Sequence, residues 1–384
     1  MDTMSARDRH LFGPGPKRIL SLDGGGIRGA VTIAFLERLE KVLEEIEGRP
    51  VLLGEWFNLI GGTSTGAIIA AALALGHRAR DIHEFYSRVA PRIFRHSVWR
   101  IAGVRARFDG RRLTEELDAI IGARTFDSED LLTGFCLVTK RMDTGSSWVI
   151  SNNPRSSFWE TPADKNFIGN KHFPLANLLR ASAAAPYYFD PESIMIVPEM
   201  PPGLFLDGAM TPHNNPALYL LFMATMPQFR LSWPLGAENL TIVSVGTGSF
   251  RPTVELPELR WFRPIGLARQ ALMAQISEGQ QLVLTLMSWM GESPTPWVIN
   301  SELGNMSLGP RLYDRPLFQF LRYDIRLESE WLRQELRITL DKKALRHLRQ
   351  LDAVENITTL YDMGTRAAKM QIRREHFEMN GSGR

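Results

Sequence analysis

Residues 56–76 read WFNLIGGTSTGAIIAAALALG, a run of 21 residues without a charge. By length alone it could span a bilayer. Its interior argues otherwise, because Asn58, Thr63, Ser64 and Thr65 are polar and Gly61, Gly62 and Gly66 interrupt the run. The pattern predicts a buried strand over Trp56–Ile60, a sharp turn over Gly61–Gly66, and a small-residue helix over Ala67–Leu75 stopped by Gly76. Gly62-Thr-Ser-Thr-Gly66 at that junction fits G-x-S-x-G, in which a tight strand-to-helix turn presents a serine hydroxyl. A serine that merely caps a helix in a glycine-rich turn would look the same.

The segment before it has the same grammar. Arg18-Ile-Leu-Ser-Leu-Asp23 is a short apolar run halted by Gly24, Gly25 and Gly26. From Ala30 to Glu47, apolar residues at 31, 35, 39, 42, 43 and 46 share one helical face, and Gly48 ends it. Strand, helix, strand, helix in this order implies a βαβ unit and a parallel sheet, hence an α/β fold. Further strands are expected over Gly134–Lys140, Trp148–Ser151, Leu240–Val245 and Phe320–Leu327. The last alternates strictly, which suggests a half-buried strand near an edge. Residues 264–291 and 341–376 carry helical patterning. The expected organisation is a flexible tail over 1–16, one large domain over 17–330, and a helical extension over 331–384 packed on that domain.

Composition narrows the class. The 384 residues are 44% hydrophobic and 23% charged, which is ordinary globular usage. Lys and Arg number 45 against 42 Asp and Glu, too even for a nucleic-acid protein on composition, so no DNA or RNA partner is expected. The single cysteine, Cys136, sits in the apolar run LLTGFCLV and reads as a buried thiol. It allows no intramolecular disulfide and no multi-cysteine metal site. The first 16 residues lack an apolar signal segment, so a cytoplasmic location is expected.

Three segments carry chemistry: Asp23-Gly-Gly-Gly-Ile-Arg-Gly29, Gly62-Thr-Ser-Thr-Gly66 and Asp207-Gly-Ala209. A serine nucleophile needs a base and a site for the developing oxyanion. Backbone N–H groups at Gly24, Gly25 and Gly26, beside a helix N-terminus, suit an oxyanion or a phosphate. Arg28 could orient that loop, meet a substrate phosphate or pair with a carboxylate. The same loop fits G-x-G-x-x-G through Gly24, Gly26 and Gly29, so a dinucleotide-binding fold stays open. Against it, the nearest acidic candidate, Glu55, precedes its strand. No Gly-Lys-Ser/Thr follows, which removes a P-loop. For the base, Asp207 followed by His347 would satisfy the order of an ordinary Ser-His-Asp esterase, yet His347 lies in a charged Arg-His-Leu-Arg setting. A carboxylate base is the other option.

The three segments, in this order and spacing, resemble the signatures of the patatin-like phospholipases. Ala181-Ser-Ala-Ala-Ala-Pro-Tyr-Tyr-Phe189, Asn214-Asn-Pro216 and Ser244-Val-Gly-Thr-Gly248 add to the likeness, which covers roughly residues 17–250. The resemblance implies a three-layer α/β/α sandwich with a mainly parallel sheet, and a phospholipase A or lipid esterase that needs no cofactor or metal. It implies a Ser64–Asp207 dyad without histidine, an oxyanion hole at Gly24, Gly25 and Gly26, and supporting roles for Arg28, Gly62 and Gly66. The sole departure is Asp-Gly-Ala where Asp-Gly-Gly is also common, and the aspartate is retained. A non-catalytic lipid- or nucleotide-binding module on the same fold is the remaining alternative. The C-terminal part, through Leu321–Leu327, Glu330-Trp-Leu332 and Tyr361–Gly364, is similar to a bacterial branch of the family. Some members of that branch act in antiphage signalling and are switched on by a cyclic dinucleotide, so such an activator is a possible partner.

One stretch bears on access to lipid. Residues 88–112 hold eight arginines and one acid, interleaved with Ile93, Phe94, Val98, Trp99 and Ile101, while the rest of the chain has 37 basic and 41 acidic residues. Basic residues beside exposed aromatics suit an anionic membrane surface, so peripheral association with a phospholipid membrane is expected. A solvated helix and loop, or a homo-oligomer interface covering Phe94 and Trp99, would account for the same residues.

Overall fold

The structure is a computed structural model that describes residues 4–94, 106–253, 264–309 and 311–378. In chain order its main elements are α1 (Ala6–Phe12), β1 (Lys17–Leu22), α2 (Gly29–Glu47), α3 (Leu53–Trp56), β2 (Leu59–Thr63), α4 (Thr65–Ala74), α5 (Ala79–Ile93) and α6 (Gly110–Ile121). They continue with β3 (Gly134–Arg141), β4 (Ser147–Ser151), α7 (Leu175–Ser182), β5 (Glu192–Ile194), β6 (Gly203–Asp207), α8 (Ala217–Thr225) and β7 (Leu240–Val245). The last are α9 (Pro264–Met290), β8 (Gln319–Tyr323), α10 (Ser329–Glu335), α11 (Lys342–Leu348) and α12 (Ile357–Gln371).

The strands form one sheet in the order β5-β6-β3-β2-β1-β7-β8, with β4 also paired to β3. β3, β2, β1, β7 and β8 run parallel, whereas β4 and β6 pair antiparallel with β3. Alternation along the strands creates the layers. Leu20, Leu22 and Ile60 face one core with α2, α4 and α12, while Ile19, Leu59, Ile242 and Phe320 face a second core with α1, α8 and α9. The sheet is therefore covered on both sides, the three-layer α/β/α sandwich expected. Cys136 is buried in the second core, as its apolar run predicted.

Four expectations shift. The tail over 1–16 carries α1, capped by Ser5, with Leu11 buried beside β3. The strand over Trp56–Ile60 starts later: Leu53–Trp56 is a helical turn, and β2 runs through the glycine pair to Thr63. Glycine belongs there because a Cβ on Gly61 would strike Leu220 and one on Gly62 would strike the Gly66 backbone. The stretch over Phe320–Leu327 is a terminal strand of the sheet, as expected near an edge, but its extended pairing ends at Tyr323 and both faces are buried. Its alternate residues Arg322 and Asp324 are 2% and 0% exposed, because they are satisfied inside the protein. Finally, the C-terminal helical layer is less solvated than its charges suggest. α12 lies along α2, with Leu360, Ala367 and Ala368 buried and Gly364 against Val31 and Ala34.

Of the basic stretch, residues 95–105, including Val98, Trp99 and Ile101, lie outside the described residues. Where the stretch is described its apolar side chains turn inward and several arginines stay outside: Ile93 is buried, Phe94 packs on Phe108 with ring centroids 5.3 Å apart, and Arg88, Arg92 and Arg111 are exposed. Among the described residues no helix is long and apolar enough to cross a membrane.

Candidate active site

β2 delivers Ser64 to the end of the sheet. The strand stops at Thr63, and α4 begins at Thr65, so Ser64 alone makes the turn, at φ 55° and ψ −126°. That left-handed conformation is strained for a residue with a Cβ and is held by its surroundings. Gly66 allows the closeness of the turn, since a Cβ there would meet the Leu22 carbonyl at 2.3 Å. The Ser64 N–H donates to Ser182 Oγ at 2.9 Å, and that hydroxyl donates to the Val138 carbonyl at 2.7 Å.

Asp207 arrives on the same edge of β3. β2 pairs with β3 as far as Thr63 opposite Val138, and at the next position Thr139 lies opposite Asp207 of β6. β6 runs the other way, so the ends of β2 and β6 meet head to head. The outcome is direct: Ser64 Oγ donates to Asp207 Oδ2 at 2.6 Å, and Asp207 Oδ1 accepts the Ala209 N–H at 2.8 Å. Asp207 is 2% exposed. Burial pushes its carboxyl up to about 6, opposed by the hydrogen bonds from Ser64 and Ala209. No histidine lines this cavity among the described residues. His347, the alternative base, lies on α11 and pairs with Glu355 at 2.9 Å on the surface, so the Ser-His-Asp arrangement is not formed.

The glycine loop follows β1 and lines the same cavity. A trans peptide points its C=O and N–H in opposite directions, so whatever holds one aims the other. The Gly24 carbonyl accepts from Thr247 Oγ1 at 3.0 Å and from Asn214 Nδ2 at 3.4 Å. The Gly25 carbonyl accepts the Arg28 N–H at 3.2 Å, with Arg28 Nε at 3.5 Å. These contacts turn the N–H groups of Gly25 and Gly26 the other way, and neither has an acceptor among the described residues. Gly24 differs from the expectation: its own N–H donates to the Asn214 carbonyl at 3.1 Å. Gly26 is fixed by Tyr86 and Thr65, whose hydroxyls reach its carbonyl at 2.6 and 3.0 Å. Its φ of 56° and the Leu351 carbonyl beside it leave no room for a side chain.

Arg28 takes the loop-orienting option. It is buried, its Nη1 donates to the Gly248 carbonyl at 2.8 Å, and burial lowers its pKa to about 10. Behind the loop lies a charged network that local patterning did not reveal. Arg322 reaches Asp23 at 2.7 Å, Asp324 at 2.8 Å and Ser244 Oγ at 2.8 Å. Gln280 donates to Asp23 at 2.8 Å, and Asp324 Oδ1 accepts the Gly248 N–H at 2.7 Å. Burial raises Asp23 to about 6, while the Arg322 guanidinium works against that rise. Thr247 and Asn214 stand in the segments already noted for their likeness to the family. Arg322 and Asp324 gave only the signal of an alternating strand.

The cavity over Ser64 measures about 1330 Å³. Val89, Ile93, Leu117 and Ile120, from α5 and α6, make one apolar wall.

Comparison with known proteins agrees with this geometry. Residues 20–221 match the family model described as patatin-like phospholipase. A cGAMP-activated phospholipase of Vibrio cholerae is 30% identical over 71% of this chain and 73% of its own length. A cGAMP-activated phospholipase of Escherichia coli is 28% identical over 60% of this chain and 62% of its own. Patatin of Solanum tuberosum is 29% identical over 60% of each. The family match spans more than half of the chain and includes Gly24–Gly26, Ser64 and Asp207, so this chain belongs to the patatin-like phospholipases and is a lipid acyl hydrolase.

Proposed function

We propose that the protein cleaves fatty-acyl esters of membrane phospholipids through a Ser64–Asp207 dyad. The observation that carries this reading is the 2.6 Å contact between the Ser64 hydroxyl and the buried Asp207 carboxylate, at the floor of a cavity with an apolar wall. Asp207 takes the Ser64 proton as Oγ attacks the ester carbonyl. The oxyanion forms opposite the N–H groups of Gly25 and Gly26, beside the positive end of α4. Collapse expels the alcohol, which receives the proton from Asp207 and leaves an acyl-Ser64 ester. Asp207 then deprotonates a water, which attacks that ester, and returns the proton to Ser64 Oγ as the fatty acid leaves. An ordinary aspartate is a weak base for this task, and burial strengthens it by destabilising its charged form.

Activation by a cyclic dinucleotide is part of the reading. It is supported by the two bacterial relatives, which are named as cGAMP-activated. The test is fluorophosphonate labelling, together with hydrolysis of a phospholipid panel with and without cyclic dinucleotides. Wild type is expected to label and release fatty acid, and Ser64→Ala to do neither. Labelling of Ser64→Ala equal to that of wild type would remove Ser64 from the mechanism.

A further inference from the structure

α9 carries little charge on any face. Its 27 residues, about 40 Å of helix, include two charged ones, Arg269 and Glu278. In the first half Gly266, Gln270, Met273 and Ile276, at helical spacing, line the catalytic cavity. In the second half Val283, Leu284 and Met287 continue that side into the second core. The opposite side carries Leu267, Ala271, Gln275, Glu278, Leu282 and Trp289, at spacings of three, four and seven, and all six are exposed. Leu267 is 50% exposed and Leu282 56%.

A helix that is apolar all round is ordinarily covered all round, by a protein core or by lipid. Between the two sides of α9, Ala268 and Leu272 are exposed and also line the cavity, so the outward stripe begins at the cavity mouth. Tyr187, from the turn after α7, is likewise exposed and lines the same cavity. At the far end the Leu312 N–H donates to the Trp289 carbonyl at 2.9 Å, which sets exposed Leu312 and Tyr313 beside Trp289. Tyrosine and tryptophan favour the level where acyl chains meet headgroups. Position then chooses the occupant. A folded partner along the stripe would abut Ala268 and Leu272 and stand in the path of an entering acyl chain, whereas a lipid surface lying there supplies that chain.

We propose that the outward stripe of α9, from Leu267 to Trp289, is the face on which the enzyme lies on a lipid surface, with the cavity opening onto the acyl chains. The inference rests on the phospholipid reading above and adds where the bilayer sits. The helix lies in the plane of the interface rather than across the membrane. Glu278 is the one charge among the six stripe residues, so attachment comes from inserted apolar area and not from headgroup charge. That separates it from attraction by the exposed arginines at 88, 92 and 111, which salt would screen.

Flotation of full-length Ser64→Ala protein with phosphatidylcholine vesicles reads attachment without turnover. It is run at low and high salt, with and without cyclic GMP–AMP. Adding Leu267→Glu or Leu282→Glu is expected to weaken attachment roughly tenfold each, since each withdraws one leucine from lipid, while high salt changes little. Both side chains are exposed and do not line the cavity, so the fold is kept, and a thermal melt of each variant checks it. Failure of the parent protein to float in either condition overturns the proposal, as does equal attachment with and without the two substitutions. Attachment that high salt removes and the substitutions leave intact assigns it to the arginines and overturns the stripe. A drop in oligomeric state on Leu282→Glu in sedimentation, with vesicle attachment unchanged, gives the stripe to a second copy and likewise overturns it. A wild-type enzyme that attaches through the stripe yet releases no fatty acid from the vesicles would refute the hydrolysis reading alone.

Discussion

Ser182 stands behind Ser64, its hydroxyl accepting the Ser64 backbone N–H at 2.9 Å while donating to Val138 at 2.7 Å. Ser182 is fully buried, and Ser64 is held in a left-handed conformation that costs energy. One hydroxyl therefore ties the strained turn to β3. Ser182→Ala leaves a buried N–H without its partner and should lower stability by about 1–3 kcal/mol. Activity should fall as well, because the turn can relax. Urea midpoints and kcat/KM check the two effects, and unchanged values for both would mean that the turn holds itself.

The direct Ser64–Asp207 contact predicts unequal responses to two substitutions. Asp207→Asn removes the proton acceptor and should lower kcat roughly 10²–10⁴-fold. His347→Ala touches only a surface pair with Glu355 and should leave kcat/KM within about twofold of wild type. Steady-state kinetics on a soluble ester compare them. Loss of activity in His347→Ala would restore histidine as the base.

The raised Asp207 pKa has two consequences of opposite sign. Only the ionised carboxylate can accept the Ser64 proton, so kcat/KM should rise as pH passes through about 6. Stability runs the other way. The folded protein holds the Asp207 proton more tightly than the unfolded chain, whose carboxyl titrates near 3.8, so stability falls as pH rises from about 3.8 to about 6. Asp23, also raised to about 6, adds to the same slope. Asp207→Asn should flatten part of it and be more stable than wild type at neutral pH, by roughly 3 kcal/mol at most. Denaturation across this pH range measures the difference, and parallel curves would show that Asp207 titrates normally.

Thr247 aims the Gly25 N–H by holding the Gly24 carbonyl from the other side. Thr247→Val keeps the shape and removes the hydroxyl. A tilted donor acts mainly on the transition state, so kcat should fall roughly tenfold with KM nearly unchanged. A rise in KM at constant kcat would assign Thr247 to substrate binding instead.

Arg322 balances two buried carboxylates. Arg322→Met strands Asp23 and Asp324 without their cation and should cost about 3–5 kcal/mol, while Arg322→Lys, which keeps the charge, should recover part of it. Thermal or urea unfolding reads the difference. Equal stability of Met and Lys variants would mean that the charge itself is not what matters.

The amino-acid order alone determined whatever acts over a few residues. Apolar periodicity gave strand, helix, strand, helix, and hence the parallel sheet. The glycines at 62 and 66 gave the turn, because only a side chain as small as hydrogen lets strand and helix backbones touch there. Three motifs in sequence order were enough to resemble a family and to single out Ser64, Asp207 and the glycine loop. Tertiary structure alone decided how they meet. Ser64 and Asp207 are 143 residues apart, and the register of two strands on one edge of β3 brings them together. It also withdrew the Gly24 N–H, through a carbonyl of a distant loop, and left those of Gly25 and Gly26. The alternation of Phe320–Leu327 misled for the same reason. A polar residue facing solvent and a polar residue paired in the interior look alike in sequence, and Arg322 finds Asp23 only across 299 residues of folded chain. Local pattern records what each segment buries; only the assembled sheet fixes which distant charge or carbonyl satisfies it.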